Sequence, residues 1–250
     1  MRTTILTMIS ILSINFSIAQ NQDIITISGK VTDFYENPID SSTIQLLHRD
    51  FSVAYETYSD KNGNYTLKDI PKGVYMAMFA MRTKEYPTQN AVFKDKMRLE
   101  YWAWNVIADK DLTISPRYDR LELYGTTVFE IYGGYSGLFI YFRPMSLTKY
   151  IASFLDENKT DNKNIDISVK PENLDIEIYA DDELLKINSI QTIQEYTGEN
   201  GIPMIGYIVQ VDMPKTKSEN SYTIIKIVGE NKEYGEKGEN IYFYEFDKFK

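Results

Sequence analysis

The sequence predicts an all-β protein built from two antiparallel β-sandwich domains. Three observations predict this fold class: short apolar runs recur along the chain, turns rich in Gly, Pro and Asn separate them, and aromatic residues make up 14% of the composition. Several short strands at such a spacing are typical of β-sandwiches. The 20 tyrosines and 12 phenylalanines favour strands because their rings pack well on a pleated surface.

The first strand is predicted around Ile25–Val31, where apolar and polar residues alternate. Gly29 interrupts this alternation, and a glycine inside a strand often marks a bulge or the close approach of another backbone. Asn37-Pro38 predicts a turn, since proline fixes φ and pushes the residue before it out of the helical region.

The pentapeptide Asp60–Asn64 lies between two strand-like runs, Val53–Tyr58 and Tyr65–Leu67. Its Asn-Gly pair accepts positive φ at low cost, so we predict a hairpin turn. Alternate residues of the pentapeptide also resemble the start of a calcium loop, for which Asp69 would supply the later acid. We favour the turn, because the intervening residues already have the pattern of a strand.

Four motifs between Ile27 and Tyr75 resemble a known family. They are Ile27-Ser28-Gly29-Lys30-Val31-Thr32-Asp33, Asn37-Pro38-Ile39, Thr57–Leu67 and Ile70-Pro71-Lys72-Gly73-Val74-Tyr75. The segment resembles the carboxypeptidase regulatory-like domain, a prealbumin-like β-sandwich of many secreted bacterial proteins. The resemblance implies a prealbumin-like first domain, an exported protein and a spacer or adaptor role without catalysis, although a fold alone assigns no activity.

Two features of related proteins are missing from this chain. The related collagen-adhesin B-type domains can form an internal Lys–Asn cross-link assisted by a glutamate, but Tyr75–Phe79 contains no carboxylate, so we expect no cross-link. The catalytic carboxypeptidase part is also missing, because the chain has no His-x-x-Glu motif and its single histidine is His48.

Residues 1–19 predict a signal peptide, with Arg2 before the short apolar stretch Ile5–Ile18 and with small residues at Ser17 and Ala19. The apolar stretch is shorter than the roughly 20 residues that a membrane span needs. The chain has no cysteine, so neither a disulfide nor a lipid-modified N-terminal cysteine can form. We expect an exported protein, periplasmic or extracellular, that is not lipid-anchored and does not insert into a membrane after signal cleavage.

The charge balance excludes two classes of partner. The chain has 36 acidic and 27 basic residues, for a net charge of −9. Electrostatic repulsion would oppose binding to nucleic acid or to an anionic membrane surface.

The first domain is predicted to span residues 20–123. Val74–Met81 is apolar on both faces, which predicts a strand covered on both sides. Tyr101–Val106 and Leu112–Leu123 have the pattern of strands that complete or leave this domain. A change of pattern near Gly125 then places the boundary between residues 123 and 124.

Residues 124–250 predict a second sandwich, Ig/fibronectin-like, of a family that we do not recognise. Thr127–Tyr132 and Leu138–Phe142 are predicted strands around a turn at Gly133–Gly137, and Ser146 is the predicted N-cap of one short helix. Asp156–Asn164 is a predicted loop. The remaining predicted strands are Ile165–Val169, Leu174–Tyr179, Leu184–Tyr196, Ile202–Val211, Tyr222–Val228 and Ile241–Phe246, separated by turns such as Gly198-Glu199-Asn200-Gly201.

The sequence lacks the usual catalytic and metal-binding patterns, so we predict no enzyme, no cofactor and no metal. A Ser-His-Asp triad could use only His48, zinc lacks its usual ligands, and the glycines around Gly134 lack the lysine of a phosphate loop. A carboxylate pair drawn from Asp181-Asp182-Glu183 and Glu195 would suit a glycoside hydrolase. Surface acids in turns are far more often solvated charges.

Three functions remain, in order of preference. The first is a non-catalytic exported adaptor of the bacterial cell envelope that binds an envelope or surface protein. The second is a glycan-binding module whose stacking residues would be Trp102, Trp104, Tyr132 and Tyr135, although core or interdomain packing is the commoner role of such rings. An exposed coplanar row would favour polysaccharide binding, whereas burial would favour the adaptor. The third is the carboxylate-pair hydrolase.

Overall fold

The computed structural model describes residues 23–87, 94–155, 166–196, 204–216 and 218–246. The predicted signal peptide, the loop Asp156–Asn164 and the turn at Gly198–Gly201 lie outside the described residues. The strands are β1 (Ile24–Lys30), β2 (Thr43–Leu47), β3 (Val53–Tyr58), β4 (Asn64–Pro71), β5 (Gly73–Met81), β6 (Tyr101–Ala108), β7 (Leu112–Thr113), β8 (Leu121–Glu130), β9 (Gly137–Ser146), β10 (Leu174–Ala180), β11 (Glu183–Leu184), β12 (Ile187–Glu195), β13 (Met204–Asp212), β14 (Tyr222–Asn231) and β15 (Glu236–Glu245), and the helix is α1 (Leu147–Leu155).

The strands form three sheets, in which antiparallel pairs predominate. An eight-stranded sheet has the order β11-β10-β14-β15-β6-β5-β2-β3, a three-stranded sheet has the order β4-β1-β7, and a four-stranded sheet has the order β12-β13-β9-β8. The predicted fold class, all-β with antiparallel sandwiches and one short helix, is confirmed. Within the described ranges, no helix is both long enough and apolar enough to cross a membrane.

The two sandwiches share the eight-stranded sheet, which the sequence pattern did not predict. The sheet passes from one half of the chain to the other through a parallel pair in which Ile241 of β15 lies opposite Ala103 of β6. Along β15, Ile241 and Phe243 belong to the first hydrophobic core, whereas Tyr242 and Tyr244 pack against the second. Since successive residues of a strand point to opposite faces, the two smaller sheets cover opposite faces of the shared sheet.

The predicted domain boundary between residues 123 and 124 falls inside β8. Leu121 and Leu123 belong to the second core, and Tyr222 and Phe243 from the second half of the chain complete the first core. Each core therefore contains residues from both sides of the predicted boundary.

The turn at Asp60–Asn64 is confirmed, but its assignment as a hairpin is wrong. β3 pairs with β2 and β4 pairs with β1, so this turn connects two different sheets. Oδ1 of Asp60 accepts hydrogen bonds from the backbone nitrogens of Asn62 at 2.8 Å and Asn64 at 2.9 Å. Gly63 has φ +80°, a conformation that glycine adopts without steric cost.

The close backbone approach predicted at Gly29 is confirmed, because a Cβ there would lie 1.8 Å from the carbonyl oxygen of Ile114. The turn predicted at Asn37-Pro38 lies slightly earlier. The chain reverses at Phe34 and Tyr35, where Oδ1 of Asp33 accepts hydrogen bonds from the backbone nitrogens of Tyr35 at 2.8 Å and Asn37 at 2.9 Å. The aspartate directly before the turn thus fixes it, rather than the proline.

In the second half, the hairpin of β8 and β9 and the helix cap at Ser146 are as predicted. Oγ of Ser146 accepts a hydrogen bond from the backbone nitrogen of Lys149 at 3.2 Å, which satisfies one of the free donors at the helix start. The single strand predicted at Leu184–Tyr196 is wrong. It is divided into β11 and β12, which belong to different sheets and are separated by the buried Leu185.

Candidate binding surfaces

Trp102 and Trp104 form a stacked pair at the junction of the two sandwiches. Their rings are 4.7 Å apart and inclined by only 12°. Tyr124 of β8 lies edge-on to both rings, at 5.6 and 5.5 Å. The two tryptophans are only 9% and 5% exposed, the degree of burial expected of rings that pack between elements.

Tyr132 and Tyr135 lie elsewhere, in the turn between β8 and β9, where they are 66% and 60% exposed. The hydroxyl of Tyr135 donates a hydrogen bond to Oδ1 of Asp212 at 2.9 Å. The four predicted stacking residues therefore do not form one coplanar row. The tryptophans are a buried pair and the tyrosines are two exposed rings on a turn, and a role in ligand binding stays a prediction for all four.

A groove of about 170 Å³ lies beside Trp104, and we call it the junction groove. Its walls come from β5, β6, β8, β15 and the β2–β3 turn. The lining residues are Arg49, Val74, Tyr75, Met76, Trp104, Asn105, Thr126, Thr127 and Tyr242. Of these, only Trp104 was predicted from the sequence to be a ligand-binding residue.

Two strand irregularities shape the junction groove. On β6, Asn105 has φ +52°, and the alternation of faces reverses there, so that Trp104 and Val106 lie in different hydrophobic clusters. On β8, the register shifts between Tyr124 and Thr127, where Gly125 has φ +71°. Bulges of this kind redirect side chains. The sequence signals were Asn105 directly after the aromatic run Tyr101–Trp104 and the glycine Gly125 within β8.

The charge of the junction groove differs from that of the whole chain. Its lining contains one cation, Arg49, and no carboxylate, whereas the chain carries a net charge of −9. In the part of the chain that the structure describes, Arg49 forms no ion pair. The adjacent Asp50 is engaged in its own turn, where its Oδ1 accepts hydrogen bonds from the nitrogen and hydroxyl of Ser52 at 3.0 and 2.6 Å.

A second unusual feature is the pair of carboxyl groups on the half-buried Glu100 and the buried Glu122, which the sequence did not predict. Glu122 is 4% exposed and accepts a hydrogen bond from Nε1 of Trp102 at 3.1 Å. Burial, followed by the nearby Glu100, raises the pKa of Glu122 well above its ordinary value, and burial also raises the pKa of Glu100. Both carboxyl groups are therefore harder to ionise than ordinary surface carboxyls. The only sequence signal was a single charged residue between Leu121 and Leu123.

Three of the four acids considered for a hydrolase, Asp181, Glu183 and Glu195, have separate structural partners. Asp181 accepts hydrogen bonds from Oγ1 of Thr223 at 2.6 Å and from the nitrogen of Ile224 at 2.9 Å. Glu183 accepts hydrogen bonds from backbone nitrogens of another loop, and Glu195 lies 3.4 Å from Nε of Arg143. Each carboxylate is therefore engaged within its own local structure.

Among the described residues, β12 is an edge strand that lacks the usual protection. It is nine residues long, and its only strand neighbour among the described elements is β13. Ile187–Gln194 contains no charged residue and no proline, and Ile190 and Ile193 are 47% and 37% exposed. Edge strands usually carry charge, proline or a cover because their free N–H and C=O groups can pair with another chain.

No protein-family model and no curated protein matches the sequence. Among solved structures, the major pilin subunit of Bacillus cereus shows 9% identity and a TM-score of 0.27, over 89% of this chain and 69% of that one. A proposed carbohydrate binding protein from Bacteroides uniformis shows 10% identity and a TM-score of 0.28, over 88% of this chain and 98% of that one. The major pilin SpaA of Corynebacterium diphtheriae shows 10% identity and a TM-score of 0.25, over 82% of this chain and 62% of that one. TM-scores of this size carry no argument, so function is inferred from the surfaces of this chain itself.

Proposed function

We propose that the protein is a non-catalytic, exported binding protein of the bacterial cell envelope that acts through protein–protein contacts. The observation that carries the proposal is the unprotected edge of β12. The sequence adds two supports: the signal-peptide pattern of residues 1–19 and the motifs at Ile27–Tyr75 that resemble the carboxypeptidase regulatory-like domain. We assign the first half to that family on those motifs.

The partner binds as an additional β-strand along β12. In this mode, backbone hydrogen bonds provide affinity and alternate side chains provide specificity. Ile190 lies opposite Val209 of β13, a residue of the second core, and Ile193 lies opposite Gly206. Ile190 thus lies on the core side of the sheet. Ile193 comes three residues later, so its side chain lies on the outer side.

The chemistry of this edge specifies the partner segment. An incoming strand meets exposed isoleucine on both faces, so β-branched residues suit it best. The whole chain is acidic, with a net charge of −9. The partner is therefore an extended, β-branched segment of an envelope protein with a basic flank.

The test compares two edge strands of the same molecule. Ile190→Lys with Ile193→Lys introduces edge charges on β12, and Val53→Lys with Tyr58→Lys does the same on β3, where the replaced side chains are 50% and 58% exposed. Partners are captured from envelope extracts and identified by mass spectrometry. We expect the β12 variant to lose the partner and the β3 variant to retain it, with similar thermal unfolding for both.

Capture alone does not locate the interface, so the identified partner is then purified and mixed with the wild-type protein. Hydrogen exchange should slow along Ile187–Glu195 when the complex forms. Protection of another element, or full binding by the β12 variant, would show that the edge is not the interface.

Glycan binding is the second candidate function. It is favoured by the junction groove, in which aromatic side chains adjoin polar ones, the composition that ligand sites commonly show. The two candidates use different surfaces, so each can be tested separately.

A further inference from the structure

We propose that the junction groove binds a uronic acid, a sugar unit that carries a carboxylate. Arg49 forms an ion pair with the carboxylate, and Oδ1 of Asn105 accepts a hydrogen bond from a sugar hydroxyl. This inference rests on the second candidate function and is independent of β12.

The shape and composition of the groove fit a single hydroxylated ring. At about 170 Å³, the groove accommodates one ring-sized group rather than a long chain, and it is open to solvent on one side, so that the rest of a saccharide can extend outward. Met76, Trp104 and Tyr242 supply apolar and aromatic surface. A sugar ring has one relatively apolar face and hydroxyls at its rim, which matches such a mixed lining.

The charge of the groove selects an acidic sugar over a neutral one. Arg49 is the one charged group of the lining, and within the described ranges no carboxylate pairs with it. A guanidinium binds a carboxylate with two parallel, charge-assisted hydrogen bonds. Arg49 is exposed, so beside a neutral sugar its guanidinium stays hydrated, whereas a uronic acid replaces that water with a paired carboxylate.

The backbone conformation supports a binding role at the same place. Asn105 is a residue other than glycine with φ +52°, and strained positions of this kind cluster at ligand sites. Its Nδ2 donates a hydrogen bond to the carbonyl oxygen of Phe243 at 2.8 Å, which fixes the orientation of the amide. Its Oδ1 accepts no hydrogen bond from the described side chains, so it can accept one from a sugar hydroxyl.

The two irregular strands face each other across this one groove. On the β8 side, Gly125 and the register shift place Thr126 and Thr127 in the lining. Asn240, which is fully buried, donates hydrogen bonds to the carbonyl oxygen of Leu123 and, at 3.3 Å, to Oγ1 of Thr126. Both walls are therefore held by buried contacts, and such rigidity reduces the ordering cost of binding a ligand.

The experiment uses the full mature chain and three probes: methyl glucuronide, methyl glucoside and acetate. Binding is followed by NMR chemical shifts and by calorimetry. We expect saturable shifts at Val74–Met76 and Trp104–Asn105, with the glucuronide binding at least about tenfold more tightly than the glucoside, the equivalent of about 1.4 kcal/mol.

Two variants test the assigned contacts. Arg49→Gln should reduce glucuronide affinity to that of the glucoside and leave glucoside binding unchanged. Asn105→Gly keeps the positive φ but removes the amide, and it should weaken both sugars. Lys61→Gln removes one positive charge from an exposed turn outside the lining and serves as the matched control, with no expected change in either affinity.

Three results would overturn the inference. Equal binding of acetate and glucuronide would reduce the groove to a simple anion site. Equal binding of glucoside and glucuronide would remove the role of Arg49 and leave the glycan-binding function intact. The lack of saturable shifts with either sugar would remove glycan binding from the groove, while the protein-binding proposal would still depend only on the β12 variants.

Discussion

Replacing Glu122 by Gln should remove a specific pH dependence of stability. In the native protein, burial and the adjacent Glu100 raise the pKa of Glu122 well above the ordinary value of 4.5. At a pH between the unfolded and the folded pKa, Glu122 is therefore protonated in the folded state and ionised in the unfolded state. A carboxyl with a raised folded pKa contributes most stability below its unfolded pKa and loses it as pH rises toward the folded pKa.

The expected magnitude follows from one proton. Between the two pKa values, the free energy of unfolding should fall by about 1.4 kcal/mol per pH unit because of Glu122. Gln has nearly the same shape, can accept the hydrogen bond from Nε1 of Trp102 and can donate one to Glu100. The variant should therefore match the wild type near pH 4.5 and become progressively more stable than it above that pH.

Urea unfolding of both proteins between pH 4.5 and 8 measures this difference, with tryptophan fluorescence reporting on the stacked pair of Trp102 and Trp104. Glu239 and Asp119, whose pKa values are raised chiefly by burial, titrate in both proteins and cancel from the comparison. A difference in free energy of unfolding that stays constant with pH would refute the reasoning, because it would mean that Glu122 is ionised when folded. Glu100→Gln is the control, since burial still raises the pKa of Glu122 in that variant.

Two further predictions concern single contacts. Gly29→Ala should lower the free energy of unfolding by roughly 3 kcal/mol or more, because its Cβ would lie 1.8 Å from the carbonyl oxygen of Ile114. Gly73→Ala is the control: its Cβ would meet no atom within 4 Å, so the free energy of unfolding should change by less than about 1 kcal/mol. Equal effects of the two substitutions would contradict the close approach at Gly29. Glu236→Ala should lower the free energy of unfolding by about 2–4 kcal/mol, because the Glu236 carboxylate accepts hydrogen bonds from Oγ of Ser146 at 2.6 Å and the nitrogen of Thr148 at 2.7 Å. In this variant α1 should unfold first, which hydrogen exchange measures. Unchanged hydrogen exchange of α1 would show that Ser146 alone caps the helix.

Local features of this fold were predictable because they depend on neighbours in sequence. Alternation located most strands, and Ser146 before an apolar 3.6-residue period located α1 and its cap. The turn at Asp60–Asn64 was predictable from its Asn-Gly pair for the same reason. Periodicity shows which face of a strand is buried, but it does not show which strand lies beside it.

Most of the missed features depend on residues that are far apart in sequence. The parallel pairing of β6 with β15 joins Ala103 to Ile241, and nothing in either strand specifies the other. The same limit explains the wrong hairpin at Asp60–Asn64, since its two strands belong to different sheets. The pair of Glu100 and Glu122 was missed because a single acid in an apolar strand gives no indication of a second acid beside it.

The two proposed binding surfaces lie on opposite edges of one sheet. The four-stranded sheet runs β12-β13-β9-β8, with the free edge on β12 and one wall of the junction groove on β8. Three strand spacings separate them, about 14 Å in all, and the hydrogen-bonded strands between them form a continuous sheet. A partner strand added to β12 extends the sheet away from the groove and does not cover it. The two proposed sites are therefore compatible: a protein segment bound at β12 would leave the junction groove free for an acidic saccharide.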